Sequence, residues 1–336
     1  MKVLKYLSIA LVALGFASCE KHEIQFKNEP LATDRAMVQI HYMVPQASST
    51  QKSIYKMEID GVTIVNNNAA LMAVYGTAPG SCKYYSTKAG DVNLKLFYGF
   101  WEDRLPKEEP DGKPEFYTDD YDKMEKVYDV TLSGLQAGKK YQVFVHDFAA
   151  EPILISDYFN IFDAASEENM TQNTAEHHFI NFYNMMYEKE GEPYVGALQY
   201  QCQTVLDWEA NAAYKKLTDE EKKDAWDGKS EWLNVGEAVE FGQSTGWIKL
   251  PMVKQTFNNA AQSNVDYRII IPGEFVEDED GNELPAQLQQ INSKGTAYAN
   301  YSDYWTTYAG RHCMHIMRGF RSSTASRTGV TQWVRY

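Results

Sequence analysis

The chain has 336 residues, a formal net charge of −14 and 44% hydrophobic residues, 13% of the total being aromatic. This length is enough for two domains of ordinary size, each with its own core. The acidic balance argues against nucleic acid as a partner, because non-specific binding there depends on Lys and Arg neutralising phosphates, and it argues equally against adhesion to anionic lipid.

At the N-terminus Lys2 and Lys5 precede an apolar run, residues 7–16 (LSIALVALGF), followed by the small Ala17 and Ser18. The run is shorter than the roughly 20 residues that span a bilayer, so residues 1–18 read as an export signal. Phe16-Ala17-Ser18-Cys19 resembles the lipobox of bacterial lipoproteins, with Phe16 where Leu is usual. The resemblance implies cleavage before Cys19, acylation of its thiol, and a membrane tether in which each buried CH₂ contributes about 0.8 kcal/mol. Losing Lys2 and Lys5 with the signal takes the formal charge from −14 to −16. Residues 19–34 are polar and read as a flexible tether. Cys19-Glu20-Lys21-His22-Glu23 partly resembles the surface-export signal of Bacteroidetes lipoproteins, His22 interrupting the acidic pair. The expected location is the outer membrane, lipid-anchored and exposed at the cell surface.

Residues 35–160 read as a first β-domain. Strands are expected near 37–44, 54–59, 62–66, 81–87, 91–99, 125–132, 140–147 and 152–156, with Asp60-Gly61 as a type I′ hairpin turn. Residues 175–336 read as a second, with strands near 177–186, 195–203, 232–235, 246–251, 265–271, 296–302, 311–319 and 330–335. Between them, the helix formers of 206–226, with Thr218 and Glu221 spaced as a capping box, predict a helical insertion.

The two halves repeat one another. Tyr75-Gly76 with Gly80 matches Phe241-Gly242 with Gly246, offset by 166. The alternating Asp91–Phe97 matches Asn264–Ile270, offset by 173, and Ala137-Gly138-Lys139 matches Ala309-Gly310-Arg311, offset by 172. The opening Val38–Tyr42 is set against Phe179–Tyr183, offset by 141. Segments in register with one jump of 25 indicate duplication plus an insertion. The opening strand, the Asp60-Gly61 hairpin, the Tyr75-Gly76 turn, the Ala89-Gly90 turn and Leu135–Tyr141 resemble the domain-of-unknown-function 4397 family of exported Bacteroidetes lipoproteins. That likeness covers most of 36–150 and, more loosely, 176–320. The fold class expected is all-β: two tandem immunoglobulin-like β-sandwiches, the second with a helical insertion.

Motifs for chemistry are sparse. His312, Cys313 and His315 fall on an expected strand, where residues three apart point to opposite faces, so no metal is expected there. Glu277–Glu283 holds only a fragment of a calcium loop and reads as a hairpin turn. Cys82, Cys202 and Cys313 read as buried thiols, with a Cys202–Cys313 disulfide the alternative. No nucleophile elbow, phosphate loop, zinc-protease or dinucleotide motif is present, so the chain is read as a non-enzyme without cofactor. The strongest remaining signal is aromatic: Tyr298, Tyr301, Tyr304, Trp305 and Tyr308 in eleven residues, and Trp101, Phe116, Tyr117 and Tyr121 near a long charged loop. Tyr301, Tyr304, Trp305, Tyr308, Trp101 and Tyr117 are the expected ligand-binding residues. The expected role is non-catalytic recognition of a glycan or a protein, with a structural place in an envelope complex as the alternative.

Overall fold

The computed structural model describes residues 34–46, 53–65, 75–78, 84–99, 107–108, 114–115, 125–156, 177–251, 262–278, 281–308 and 310–335. The signal, Cys19, the tether up to residue 33, Cys82, Trp101 and Tyr117 lie outside them.

The first half contains β1 (Arg35–Tyr42), β2 (Ser53–Ile59), β3 (Val62–Val65), β4 (Tyr85–Lys88), β5 (Gly90–Gly99), the short pair β6 (Lys107–Glu108) and β7 (Pro114–Glu115), β8 (Glu125–Leu135), β9 (Lys140–Val145) and β10 (Ile153–Ser156). The second contains β11 (His177–Lys189), β12 (Glu192–Pro193), β13 (Gln199–Thr204), helices α1 (Trp208–Tyr214) and α2 (Asp219–Lys222), β14 (Leu233–Asn234) and β15 (Ile248–Pro251). It continues through β16 (Gln262–Glu277), β17 (Glu283–Gln287), β18 (Gln289–Ile291), β19 (Tyr298–Asn300), β20 (Ser302–Tyr308), β21 (His312–Phe320) and β22 (Gly329–Arg335).

In the first sandwich the sheet β10-β9-β1-β4 packs on β3-β2-β5-β8. Alternation along β5 turns Val92, Leu94 and Leu96 inward, where they meet Val38, Ile40 and Val143 of the other sheet. Asp60 and Gly61 take φ of 49° and 76°, as a type I′ turn requires. In the second sandwich β12-β11-β21-β22, with β15 also paired to β11, packs on β14-β13-β16-β17, with β20 also paired to β16. The all-β tandem-sandwich expectation is met. The helical insertion is present as two short helices, the second closed by a capping box between Thr218 and Glu221.

Backbone hydrogen bonds repeat between the halves. Met37 N–H donates to Lys139 O as Phe179 N–H does to Arg311 O, and Gly76 N–H donates to Tyr42 O as Gly242 N–H does to Asn184 O. β1 runs parallel to β9, and β11 runs parallel to β21. These pairs keep the offsets of 166 and 172 but correct the opening strand: Met37 matches Phe179 and Tyr42 matches Asn184, an offset of 142 rather than 141. The physical reason is that a one-residue slip exchanges the faces of a strand. With the corrected register Val38 and Ile180, both core residues, coincide. A second correction concerns 296–302. Tyr298–Asn300 pairs with β18 as a separate hairpin, and the sheet strand begins at Ser302. Tyr301 sits between them, its N–H donated to Leu288 O.

The two sandwiches meet through the outer faces of β1/β9 and β11/β21. Met43 and Phe144 pack against Tyr183, Met185, Met314 and Ile316. Two pairs of polar groups on these faces are joined by hydrogen bonds. His41 Nε2–H donates to Gln142 Oε1, and His146 Nδ1 lies 2.7 Å from the Tyr187 hydroxyl. At one rim Gln46 N–H donates to Ser326 Oγ (3.0 Å) and Ser326 Oγ–H donates back to Gln46 O (2.9 Å). The repeated turns reach across. Gly76 (φ 80°) lies against the Arg318 guanidinium, which also covers Tyr75 at 4.7 Å, and Gly242 (φ 83°) lies against Ile153. Each needs a glycine for its positive φ.

Candidate functional site

The outward face of the second sandwich carries the best-organised polar surface. β13 reads Gln-Tyr-Gln-Cys-Gln-Thr, so Tyr200 and Cys202 enter the core while Gln199, Gln201 and Gln203 point away from it, Gln199 and Gln201 lying beneath their neighbours at 7% and 8% exposure. β16 does the same with Asn264, Asp266 and Arg268, between the core residues Val265, Tyr267 and Ile269. β20 aligns Tyr304 with Asp266 and Ser302 with Arg268, so its outward set is Ser302, Tyr304, Thr306 and Tyr308. Across the rows Arg268 Nε–H donates to Gln201 Oε1 (2.8 Å), and Gln201 Nε2–H donates to Asn234 Oδ1 (2.9 Å). The Arg268 guanidinium lies 4.3 Å from the centre of the Trp232 ring. Partial burial draws Arg268 below the ordinary arginine value.

The helical insertion positions the rim of this face. Asn211 Nδ2–H donates to Asp227 O, Trp226 Nε1–H donates to Lys229 O, and Lys229 reaches Asp266 as an ion pair. Beyond Arg268 the surface opens into a groove of about 420 Å³ whose lining includes Tyr194, Glu274, Val276, Leu284, Asn300 and Arg321. Arg321 holds Glu188 through both Nε and a terminal nitrogen and lies 5.1 Å from the Tyr298 ring centre. Amides, a guanidinium over an indole and an exposed phenol can hydrogen-bond hydroxyls and stack on apolar ring faces without any chemical step.

Only part of the expected aromatic set belongs to this face. Tyr304 is 63% exposed, and Tyr308 is half-buried with the Arg311 guanidinium 3.9 Å from its ring centre. Trp305 and Tyr301 are core residues, 3% and 4% exposed. Trp305 lies between His178 and His315, and the Tyr301 hydroxyl accepts from Val330 N–H. As ligand contacts both are corrected: on a strand, Trp305 must point opposite to Tyr304. The residues missed in the sequence are Trp232, Gln201, Asn234, Asp266 and Arg268. For Gln201, Asp266 and Arg268 the signal lies in the alternation of β13 and β16, where every second residue is polar; Trp232, just before β14, and Asn234, on it, carry no such pattern.

Cys202 and Cys313 are free and buried, and burial pushes both thiols up to about 12, which keeps them protonated and poorly nucleophilic. His312 faces the other sandwich and His315 the core, on opposite sides of β21. Among the described residues no three His, Cys, Asp or Glu side chains gather as a metal would require, and no helix is long and apolar enough to cross a membrane.

No family model matches the chain, so the resemblance to the domain-of-unknown-function 4397 family stands on its motifs alone. No curated protein matches it either. Solved structures overlap it loosely. A protein from Bacteroides uniformis ATCC 8492, provisionally named a cell adhesion protein, is 10% identical over 90% of this chain and 97% of its own, with a TM-score of 0.18. A provisionally named adhesin from Bacteroides ovatus gives 10% identity, 90% and 93% coverage, and a TM-score of 0.21. A provisionally named cell adhesion protein from Parabacteroides distasonis ATCC 8503 gives 10%, 90%, 98% and 0.17. Overlap this loose carries no argument about fold or function.

Proposed function

We propose that the chain is a non-catalytic recognition module, exported and tethered through Cys19 at the cell surface, whose ligand face is the outer sheet of its second sandwich. The observation that carries this reading is the ordered row Asn234–Gln201–Arg268, stacked on Trp232 and flanked by the exposed Tyr304. Side chains already held by one another lose little entropy when a ligand arrives. Hydroxyl-rich glycans fit such a surface better than apolar ligands do, since amide and guanidinium groups supply directional bonds and the rings supply stacking area.

The test is a binding screen of the mature chain against a broad glycan panel. Binding is expected, and Tyr304→Ala or Trp232→Ala should weaken it at least about tenfold, roughly 1.4 kcal/mol, with the urea midpoint held. A hit whose affinity ignores both substitutions would move the site elsewhere. A protein partner in the envelope is the second reading, favoured by the apolar Phe275, Val276 and Leu284, which stand 60%, 53% and 46% exposed on the β16–β17 arm. It predicts cross-links from that arm on intact cells that vanish with Phe275→Ser.

A further inference from the structure

A second cavity, of about 500 Å³, opens where the two sandwiches meet, on surface that the recognition face does not use. That is within the size range of small-ligand pockets. The first sandwich contributes Tyr98, Asp147 and Phe148, and the second contributes Tyr187, Glu190 and Phe320. The rings are held edge to face, and of the four only Phe148 is part-exposed; Tyr98, Tyr187 and Phe320 are 9%, 2% and 1% exposed and form the floor behind it. Tyr98 and Phe148 lie 5.2 Å apart at 88°, and Tyr187 and Phe320 lie 6.4 Å apart at 88°. The two carboxylates come from different sandwiches: Asp147 from the segment after β9, Glu190 from the β11–β12 turn. Asp147 Oδ1 accepts from Ala149 N–H, which fixes that carboxylate in place.

The charge on this cavity has one sign. Among its described lining residues there is no Lys or Arg, and its one histidine, His146, is drawn below the ordinary histidine value by burial. Lys189, beside Glu190 in sequence, is engaged by Glu192 at 2.8 Å. Tyr187 is raised above the ordinary tyrosine value by burial first and by the negative charge of Asp147 second. A partly open apolar lining and carboxylates from both sandwiches together favour one kind of guest: a cation with an apolar body, whose charge is met by the carboxylates and whose methylenes lie against Phe148 and Val44. An anion would meet two like charges, and a neutral apolar guest would leave them without a partner.

We propose that this cleft binds an alkylammonium or guanidinium group, of the kind a lysine or arginine side chain or a free diamine presents. The acidic chain as a whole would steer such a cation toward it.

The experiment is a calorimetric titration of the mature chain, at low salt, with N-acetyl arginine amide, with cadaverine and with the uncharged isostere N-acetyl citrulline amide. Saturable binding of at least one cation is expected, with Kd on the order of a millimolar or tighter. The citrulline probe should bind at least about tenfold more weakly, a difference of roughly 1.4 kcal/mol. Glu190→Gln, on an exposed turn, and Asp147→Asn with Glu190→Gln should each weaken the cation by several-fold or more. Tyr304→Ala should leave it unchanged, which separates this site from the recognition face. Preference for the arginine probe would point to a polypeptide side chain as occupant, and equal or better binding of cadaverine to a free amine. No saturable cation binding, equal binding of the citrulline probe, or full affinity retained by a folded double variant would each overturn the proposal.

Discussion

Trp305 lies 4.8 Å from His315 and 5.4 Å from His178, ring centre to ring centre, with Tyr200 donating to or accepting from His315 Nδ1 at 2.7 Å. Its neighbour Tyr304 is on the open face of the same strand. The two should therefore behave oppositely. Trp305→Ala removes a core indole and is expected to cost about 3–5 kcal/mol, whereas Tyr304→Ala should stay within about 0.5 kcal/mol. Urea midpoints of the two variants would check this, and equal midpoints would contradict the core assignment. The same cluster sets a pH dependence. Burial lowers His178 and His315 to about 3, each helped by charge on a neighbouring histidine, and lowers His312 to about 4. Between those values and the unfolded value near 6.5, the unfolded chain binds more protons than the folded one. Stability is then full above about pH 6.5 and falls as pH drops toward 4 or 3. By pH 5 each of these histidines should cost roughly 2 kcal/mol. The urea midpoint measured from pH 7 to 5 reads this directly, and His315→Phe should flatten the slope. A midpoint constant across that range would mean the histidines are not held neutral.

At the scale of elements, what could be read in the sequence followed from how each strand is buried. β5 and β16 alternate strictly because one side is core and the other solvent, and both were legible with their offset of 173 intact. β11 does not alternate: His177–Lys189 is buried at ten consecutive positions. One of its faces lines the second core and the other meets the first sandwich, so its periodicity carries no register, and the sequence offset of 141 falls one residue short of the 142 set by the backbone bonds. β20 failed differently. Tyr304, Trp305, Thr306, Thr307 and Tyr308 offer aromatic or threonine residues to both faces, so no contrast marks Trp305 as inward. The recognition row was readable in principle, since β13 places glutamine at every second position, but strand pairing is needed to bring Gln201, Arg268 and Asn234 side by side. The Thr218–Glu221 capping box, being purely local, was legible as written.

The described residues stack four main β-sheets, and in the middle two the central strands β1, β9, β11 and β21 are buried on both sides. The inter-sandwich contact has apolar residues at its centre, with Phe144 5.1 Å from Tyr183 and 4.7 Å from the His41 ring, and polar ties at its rim through Gln46 and Ser326. Extensive apolar interfaces couple the folding of the domains they join, whereas small polar ones leave the domains independent. A single cooperative transition is therefore expected in calorimetry, with van't Hoff and calorimetric enthalpies agreeing. Phe144→Ala should remove about 3–5 kcal/mol, chiefly from the coupling, because Phe144 projects from the first sandwich's outer face rather than into its core. Its thermogram should then resolve into two transitions, one per sandwich. Two transitions already present in the unaltered chain would show that the interface does not join the halves into one unit. The junction cleft would in that case open and close with interdomain motion, and the recognition face, built within one sandwich, would be unaffected.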